Sequence, residues 1–108
     1  MTIKEYQKLS TRTLNNDLEK GNQLVNMILG INGEVGELTD LFKKYWFQGH
    51  ELNEYWVVGE LGDIMFYIVN LCTLLGIDME DVLETNVLKL QQRYPDGFTK
   101  EDSINREV

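Results

Sequence analysis

The sequence predicts an all-α fold, and three observations carry that reading. Apolar residues recur at helical spacing over most of the chain. Period-two alternation is weak throughout, so strands are not expected. The only proline, Pro95, falls where the last long periodic stretch ends. With 108 residues, 43% of them hydrophobic and 26% charged, the chain fits one globular domain over 1–108 with one core.

Each element follows from its own signals. The first helix opens at Thr2-Ile3-Lys4-Glu5, a capping box, carries Ile3, Tyr6, Leu9 and Thr13 at helical spacing, and fades near Asn15. The second runs from about Asn22 to Lys44, where Leu24, Met27, Ile28, Ile31, Val35, Leu38 and Phe42 form one apolar stripe. A connection from Trp46 to Glu51 turns at Gly49. The third helix, roughly Leu52 to Leu75, is apolar on nearly every side, and its charge-free stretch Ile64 to Ile77 is 14 residues. A membrane span needs roughly 20, so a core helix is expected. Because a helix apolar all round is buried all round, and four helices of this size cannot cover it, the sequence also predicts self-association. Gly76 ends the third helix, and Asp78 caps a fourth that reaches Tyr94 before Pro95-Asp96-Gly97. Residues 99–108 read as an irregular tail. The expected architecture is four-helix-bundle-like around an antiparallel central pair.

Eighteen acids against ten bases give a net charge of −8. Such a surface repels phosphate backbones and anionic membranes, so neither nucleic acid nor membrane is an expected partner. The single Cys72 sits in an apolar run and reads as a buried small hydrophobe, and the absence of a basic-then-apolar leader adds to an expected cytoplasmic location.

Two near-repeats carry the chemistry. Glu34-Val35-Gly36-Glu37 and Glu60-Leu61-Gly62-Asp63 are each acid-apolar-Gly-acid inside a helix otherwise built for burial. A hairpin turning near Gly49 sets level the residues whose numbers sum to about 97, which places Glu34 opposite Asp63 and Glu37 opposite Glu60. A single E-x-x-E pair on a helix is commonplace and marks a solvated face. Four level, partly buried carboxylates instead cost several kcal/mol each unless compensated. Hard oxygen ligands of this kind suit Mg²⁺, with Mn²⁺ as a substitute, and not structural zinc. The matched glycines are expected to let the two backbones approach. On the fourth helix Asn86, Lys89 and Arg93 line one flank beside Leu83, Val87, Leu90 and Tyr94, where they can receive anionic oxygens or simply complement the helix dipole. Lys43 and Lys44 can do the same from the second helix. Trp46, Phe47 and His50 either stack on a base or pack the connection.

Taken together these residues resemble the MazG-type all-α nucleoside triphosphate pyrophosphohydrolases. The resemblance rests on the E-x-x-E then E-x-x-D signature, matched by Glu34/Glu37 and Glu60/Asp63. It extends to Lys43-Lys44, to Gln48-Gly49-His50, and to the run from Asn86 through Lys89, Leu90, Arg93, Tyr94, Pro95 and Gly97 to Phe98, followed by Ser103 and Arg106. Gly33 departs from members with a further glutamate just before the first motif. The resemblance implies Mg²⁺-dependent hydrolysis of a (deoxy)nucleoside triphosphate to the monophosphate and pyrophosphate, in a homodimer or homotetramer (a dimer or dimer of dimers) whose active site a neighbouring subunit completes. Metal would sit on Glu34, Glu37, Glu60 and Asp63, with Glu34 as general base because its place beside the apolar stripe raises its pKa. Lys44, Asn86, Lys89, Arg93 and Tyr94 would contact substrate, and Trp46, Phe47 and His50 the base. The alternative from another class is a non-catalytic acidic helical oligomerisation module, indifferent to Mg²⁺ and nucleotides.

Overall fold

The computed structural model describes residues 1–107. It contains α1 (Ile3–Ser10), a 3₁₀ turn (Thr11–Thr13), α2 (Lys20–Phe47), α3 (Glu54–Leu74), α4 (Met79–Arg93) and α5 (Lys100–Ile104). No strand occurs among the described residues, so the all-α class holds.

Local chemistry sets the boundaries. Thr2 Oγ1 accepts from the Glu5 backbone N–H at 3.1 Å, which is the capping contact the sequence announces. Asn53 caps α3 through the Tyr55 N–H at 2.9 Å, and Asp78 caps α4 through the Glu80 N–H at 3.0 Å. Gly49, Gly76 and Gly97 take positive φ (73°, 71° and 90°), which suits glycine where the chain leaves α2, α3 and α4. Two boundaries differ from expectation. α2 runs on to Phe47, so Trp46 and Phe47 are helical residues and not part of the connection; no breaker precedes Gln48. The tail is not irregular throughout: Thr99 Oγ1 accepts from the Asp102 N–H at 3.0 Å and starts α5. That threonine-x-x-aspartate spacing was the signal for it.

α2 and α3 form an antiparallel pair. Gly30 lies under the Tyr67 ring, and one turn on Glu34 meets Glu60, so numbers rise on one helix as they fall on the other. The close approach is made at Gly30, where any Cβ would run into Tyr67. Gly36 and Gly62 do not make it: a Cβ at either would meet nothing within 4 Å. At 100° per residue both point away from the seam, which corrects the reading that they draw the backbones together.

The core sits at the far end of the pair. Val69, Cys72 and Met79 are buried, with Tyr6, Met65 and Ile68 packed on them. Cys72 is thus the buried hydrophobe expected. α1 is tied down by Gln7, whose Nε2 donates to Thr73 Oγ1 (3.1 Å) and to the Ile77 carbonyl (2.9 Å) while its Oε1 accepts from the Met79 N–H (2.9 Å). Asn70, fully buried, donates to Ser10 Oγ and to the Phe66 carbonyl.

Half of α3 is not covered. Its C-terminal part carries the buried Val69, Asn70 and Cys72, whereas Tyr55, Trp56, Val58 and Leu61 near its start are exposed. As expected of four helices of this size, one chain does not cover α3 on every side. α3 is long and apolar enough to cross a membrane by length and composition, but Glu60 and Asp63 lie near its middle, where an ionised side chain is costly in hydrocarbon. α4 is buried only at Met79, and residues 80–92 are all exposed. The radius of gyration is 17.2 Å, against about 13 Å for a compact chain of this length.

Candidate metal centre

The centre lies midway along the α2–α3 seam. Both helices are long and regular there, so residues three and four apart share a face and project as a fixed set. One carboxylate oxygen from each of Glu34, Glu37 and Glu60 lies within 4.8 Å of the other two. Glu34 and Glu60 are half-buried, and Glu37 is exposed. Glu37 and Glu60 meet as the level pairing expects, and Glu60 also stands against Glu34. Asp63 is exposed and lies outside the close group, although its charge still acts on Glu34. The expectation that Asp63 is partly buried fails because α1 covers α3 only farther along.

The electrostatics of this group are unfavourable as they stand. Glu34 is pushed up to about 7 from an ordinary value of 4.5. The largest cause is its hydrogen bond with Glu60, followed by burial and then by the charges of Glu37, Asp63 and Glu60. Oε2 of Glu34 and Oε2 of Glu60 are both buried with no hydrogen-bond partner. Orphaned buried carboxylate oxygens are costly. A hard divalent cation would satisfy them, and three carboxylates within this span fit the oxygen-ligand preference of such ions.

The raised Glu34 value has a consequence for stability. Between pH 4.5 and about 7 the folded chain holds more of a proton on Glu34 than the unfolded chain does. Stability in the absence of metal therefore falls as pH rises through that window. In EDTA the melting temperature should be lower at pH 8 than at pH 5.5, and Glu34→Gln should flatten that difference. A wild-type profile matching that of the variant would remove the coupling.

The cationic residues fall in two places. Lys44 reaches Asp40 at 2.8 Å on the same helix, and that ion pair holds the Asp40 carboxyl below its usual range. Lys43 lines an open apolar groove with Leu38, Thr39, Phe42, Trp46 and Phe47. Trp46 packs on Phe42 (ring centroids 5.4 Å) and Tyr45 (6.5 Å) yet stays 66% exposed, and Phe47 is 82% exposed. His50 is exposed just past the end of α2. Asn86 and Lys89 line a shallow depression on α4 with Ile77, Asp81, Val82 and Thr85. Tyr94 packs against Phe98 with the rings tilted (centroids 5.3 Å), and Arg93 lines a polar hollow with Asp102 and Arg106. Within one chain α4 leaves the bundle after Met79, so its polar flank is not brought to the acids.

Sequence reasoning did not single out two residues that border the centre. Gly30, one turn before Glu34, sets the spacing of the seam. Tyr6, from α1, has its phenol pushed up by burial and by the Asp63 charge, so it stays a neutral donor on that side. No spacing rule links residue 6 to residue 63.

Comparison with known proteins bears on this centre. The family model for the MazG nucleotide pyrophosphohydrolase domain matches residues 23–98, a stretch that holds all four acids and the flank of α4. The chain is 30% identical over 82 residues to Gene 37 protein of Mycobacterium phage L5, covering 72% of each. It is 31% identical over 87 residues to dCTP pyrophosphatase 1 of Mus musculus, covering 73% of this chain and half of the length of that relative. No solved structure matches.

Proposed function

The chain belongs to the family of MazG nucleotide pyrophosphohydrolase domains and is by class a nucleoside triphosphate pyrophosphohydrolase; from that premise we propose that it hydrolyses (deoxy)nucleoside triphosphates to the monophosphate and pyrophosphate, with Mg²⁺ as cofactor and Mn²⁺ as substitute. The observation that carries the metal dependence is the group of Glu34, Glu37 and Glu60 with two orphaned buried oxygens.

Each residue has a task in this reading. Glu34, Glu37 and Glu60 hold the cation, with Asp63 beside them. When bound, the cation neutralises triphosphate charge and makes a water more acidic. Glu34 is the carboxylate that accepts a proton from the attacking water. Asn86, Lys89, Arg93 and Tyr94 contact phosphate and sugar, Lys44 adds positive charge from α2, and Trp46, Phe47 and His50 face the base. The enzyme works as a homodimer or homotetramer, because its own α4 leads away from its own acids and a neighbour's α4 then supplies the cations. A cytoplasmic role in nucleotide-pool housecleaning fits this chemistry, and the likeness to a dCTP pyrophosphatase places deoxycytidine triphosphate on the substrate panel.

The test is pyrophosphate release from canonical and modified (d)NTPs with Mg²⁺ and with EDTA. The expected result is equal amounts of monophosphate and pyrophosphate, abolished by EDTA. No turnover on any member, together with no Mg²⁺- or nucleotide-induced rise in melting temperature, would favour the non-catalytic module instead.

A further inference from the structure

The chain past α4 folds back without a core to hold it. Gly97 takes a φ of 90° and its N–H donates to the Tyr94 carbonyl at 3.2 Å, which turns the chain before the Thr99 cap starts α5. Five residues are far too few for a helix to stand alone in water. Apolar packing adds little, since Phe98 is 70% exposed, Ile104 82%, and no residue of α5 is buried. α5 also lies past residue 98, where the match to the family model ends. What the return does is place Arg106. This arginine lines the same hollow of about 250 Å³ as Arg93, together with Gln92, Asp102, Asn105 and Glu107.

The side chains around that hollow suit one kind of ligand. Arg93 and Arg106 are two of the three arginines in the chain, and each presents a planar fork of N–H donors. The Gln92 and Asn105 amides add further donors, and the set matches the oxygens of a phosphate. Two guanidinium groups on one hollow repel each other, and Asp102 and Glu107 offset that charge while no anion is there. Glu107 is exposed, so it can turn to water when a phosphate enters. The hollow also closes a row: Asn86, Lys89 and Arg93 rise along one flank of α4 over about 10 Å, and Arg106 stands beside Arg93 at the far end.

We propose that Arg106 is a further substrate-binding residue, which with Arg93 receives the terminal phosphate of the triphosphate. That phosphate is the one farthest from the sugar, which lies toward Asn86. The proposal rests on the triphosphate hydrolysis proposed above and assigns one phosphate to one place in the chain. A nucleoside monophosphate reaches Asn86 and Lys89 but stops short of the hollow.

The experiment is steady-state kinetics of the full chain with Mg²⁺ on the best triphosphate of the panel, for the wild type, Arg106→Gln and Arg106→Lys. Circular dichroism on the same samples reads folding, which a change at the exposed Arg106 should leave intact. Arg106→Gln should raise KM at least about tenfold and weaken inhibition by inorganic pyrophosphate by a similar factor, because both carry the terminal phosphate. Inhibition by the nucleoside monophosphate should stay within about twofold of the wild type, a split that a merely structural role would not produce. Arg106→Lys keeps the charge but not the fork, and should recover part of the loss. A glutamine variant with wild-type KM and wild-type pyrophosphate inhibition overturns the role of Arg106 while the hydrolysis stands. Equal weakening of monophosphate and pyrophosphate inhibition overturns the assignment to the terminal phosphate. A wild type that turns over no triphosphate overturns the hydrolysis and the proposal with it.

Discussion

Glu60→Gln should yield a chain that melts higher without metal and has lost most of its activity. Glu60 is the acid through which the two helices meet: it hydrogen-bonds with Glu34 and belongs to the group of three carboxylates. Its own Oε2 is buried without a partner. A glutamine there keeps the shape, removes one negative charge, and presents an amide that donates to Glu34. Relief of a buried unsatisfied pair is worth about 1 kcal/mol, which corresponds to a rise of roughly 4–8 °C in melting temperature for a domain of this size. The same change removes a hard ligand, so kcat/KM should fall by at least about 100-fold, near 3 kcal/mol of transition-state stabilisation. The stabilisation that Mg²⁺ adds to the wild type should shrink with it. Melting with and without Mg²⁺, beside initial rates, reads all three. A variant that is active but less stable would mean that Glu60 serves the seam and not the ion.

Gly30→Ala should be the most damaging of the small substitutions along α2. Alanine is favoured over glycine in a helix by about 1 kcal/mol, so the change would help if space allowed. It does not: the new methyl group would meet the Tyr67 ring, a rigid side-chain plane on the opposite helix that would have to swing aside. Overpacking of this kind costs about 1–3 kcal/mol, which offsets the propensity gain and leaves a net loss of up to about 2 kcal/mol. Because Gly30 lies one turn before Glu34, widening the seam also draws Glu34 from Glu60. Urea denaturation should show the loss of stability, and Mg²⁺ titration a weaker apparent affinity. Gly21→Ala, in the first turn of the same helix with nothing within 4 Å, is the control and should be neutral to slightly stabilising. Equal effects at the two positions would mean that the Gly30–Tyr67 contact does not set the spacing.

Both experiments depend on features that differ in how readily they are seen from the chain alone. The acids announce themselves, because acid-apolar-Gly-acid inside a buried helix breaks the pattern around it, and a broken pattern points to a function. Their exact partnering does not. Level pairing from the turn at Gly49 puts Glu37 against Glu60, and the two do meet, but it puts Glu34 against Asp63, whereas Glu34 also reaches Glu60 and Asp63 stays exposed; side chains three and four apart on a helix are neighbours, so a carboxylate can turn to either of two positions on the facing helix. The role of the glycines is misread for a related reason. Gly36 and Gly62 match in sequence, but the helix phase decides which glycine faces the neighbour, and that is Gly30.

What belongs to the chain without its neighbours is local: the caps at Thr2, Asn53 and Asp78, the stops at Gly49, Gly76 and Gly97, and the all-α class that follows from helical periodicity. These arise from backbone hydrogen bonding and side-chain spacing within a few residues, and both are written into adjacent positions. What arises only in three dimensions is relational. The register that joins Glu34 to Glu60, the reach of Tyr6 toward Asp63, the contact of Gly30 with Tyr67 and the uncovered half of α3 all depend on distances between residues far apart in the chain. Those distances are set by how side chains of particular volume pack across a seam, a property of the pair of helices and not of either one.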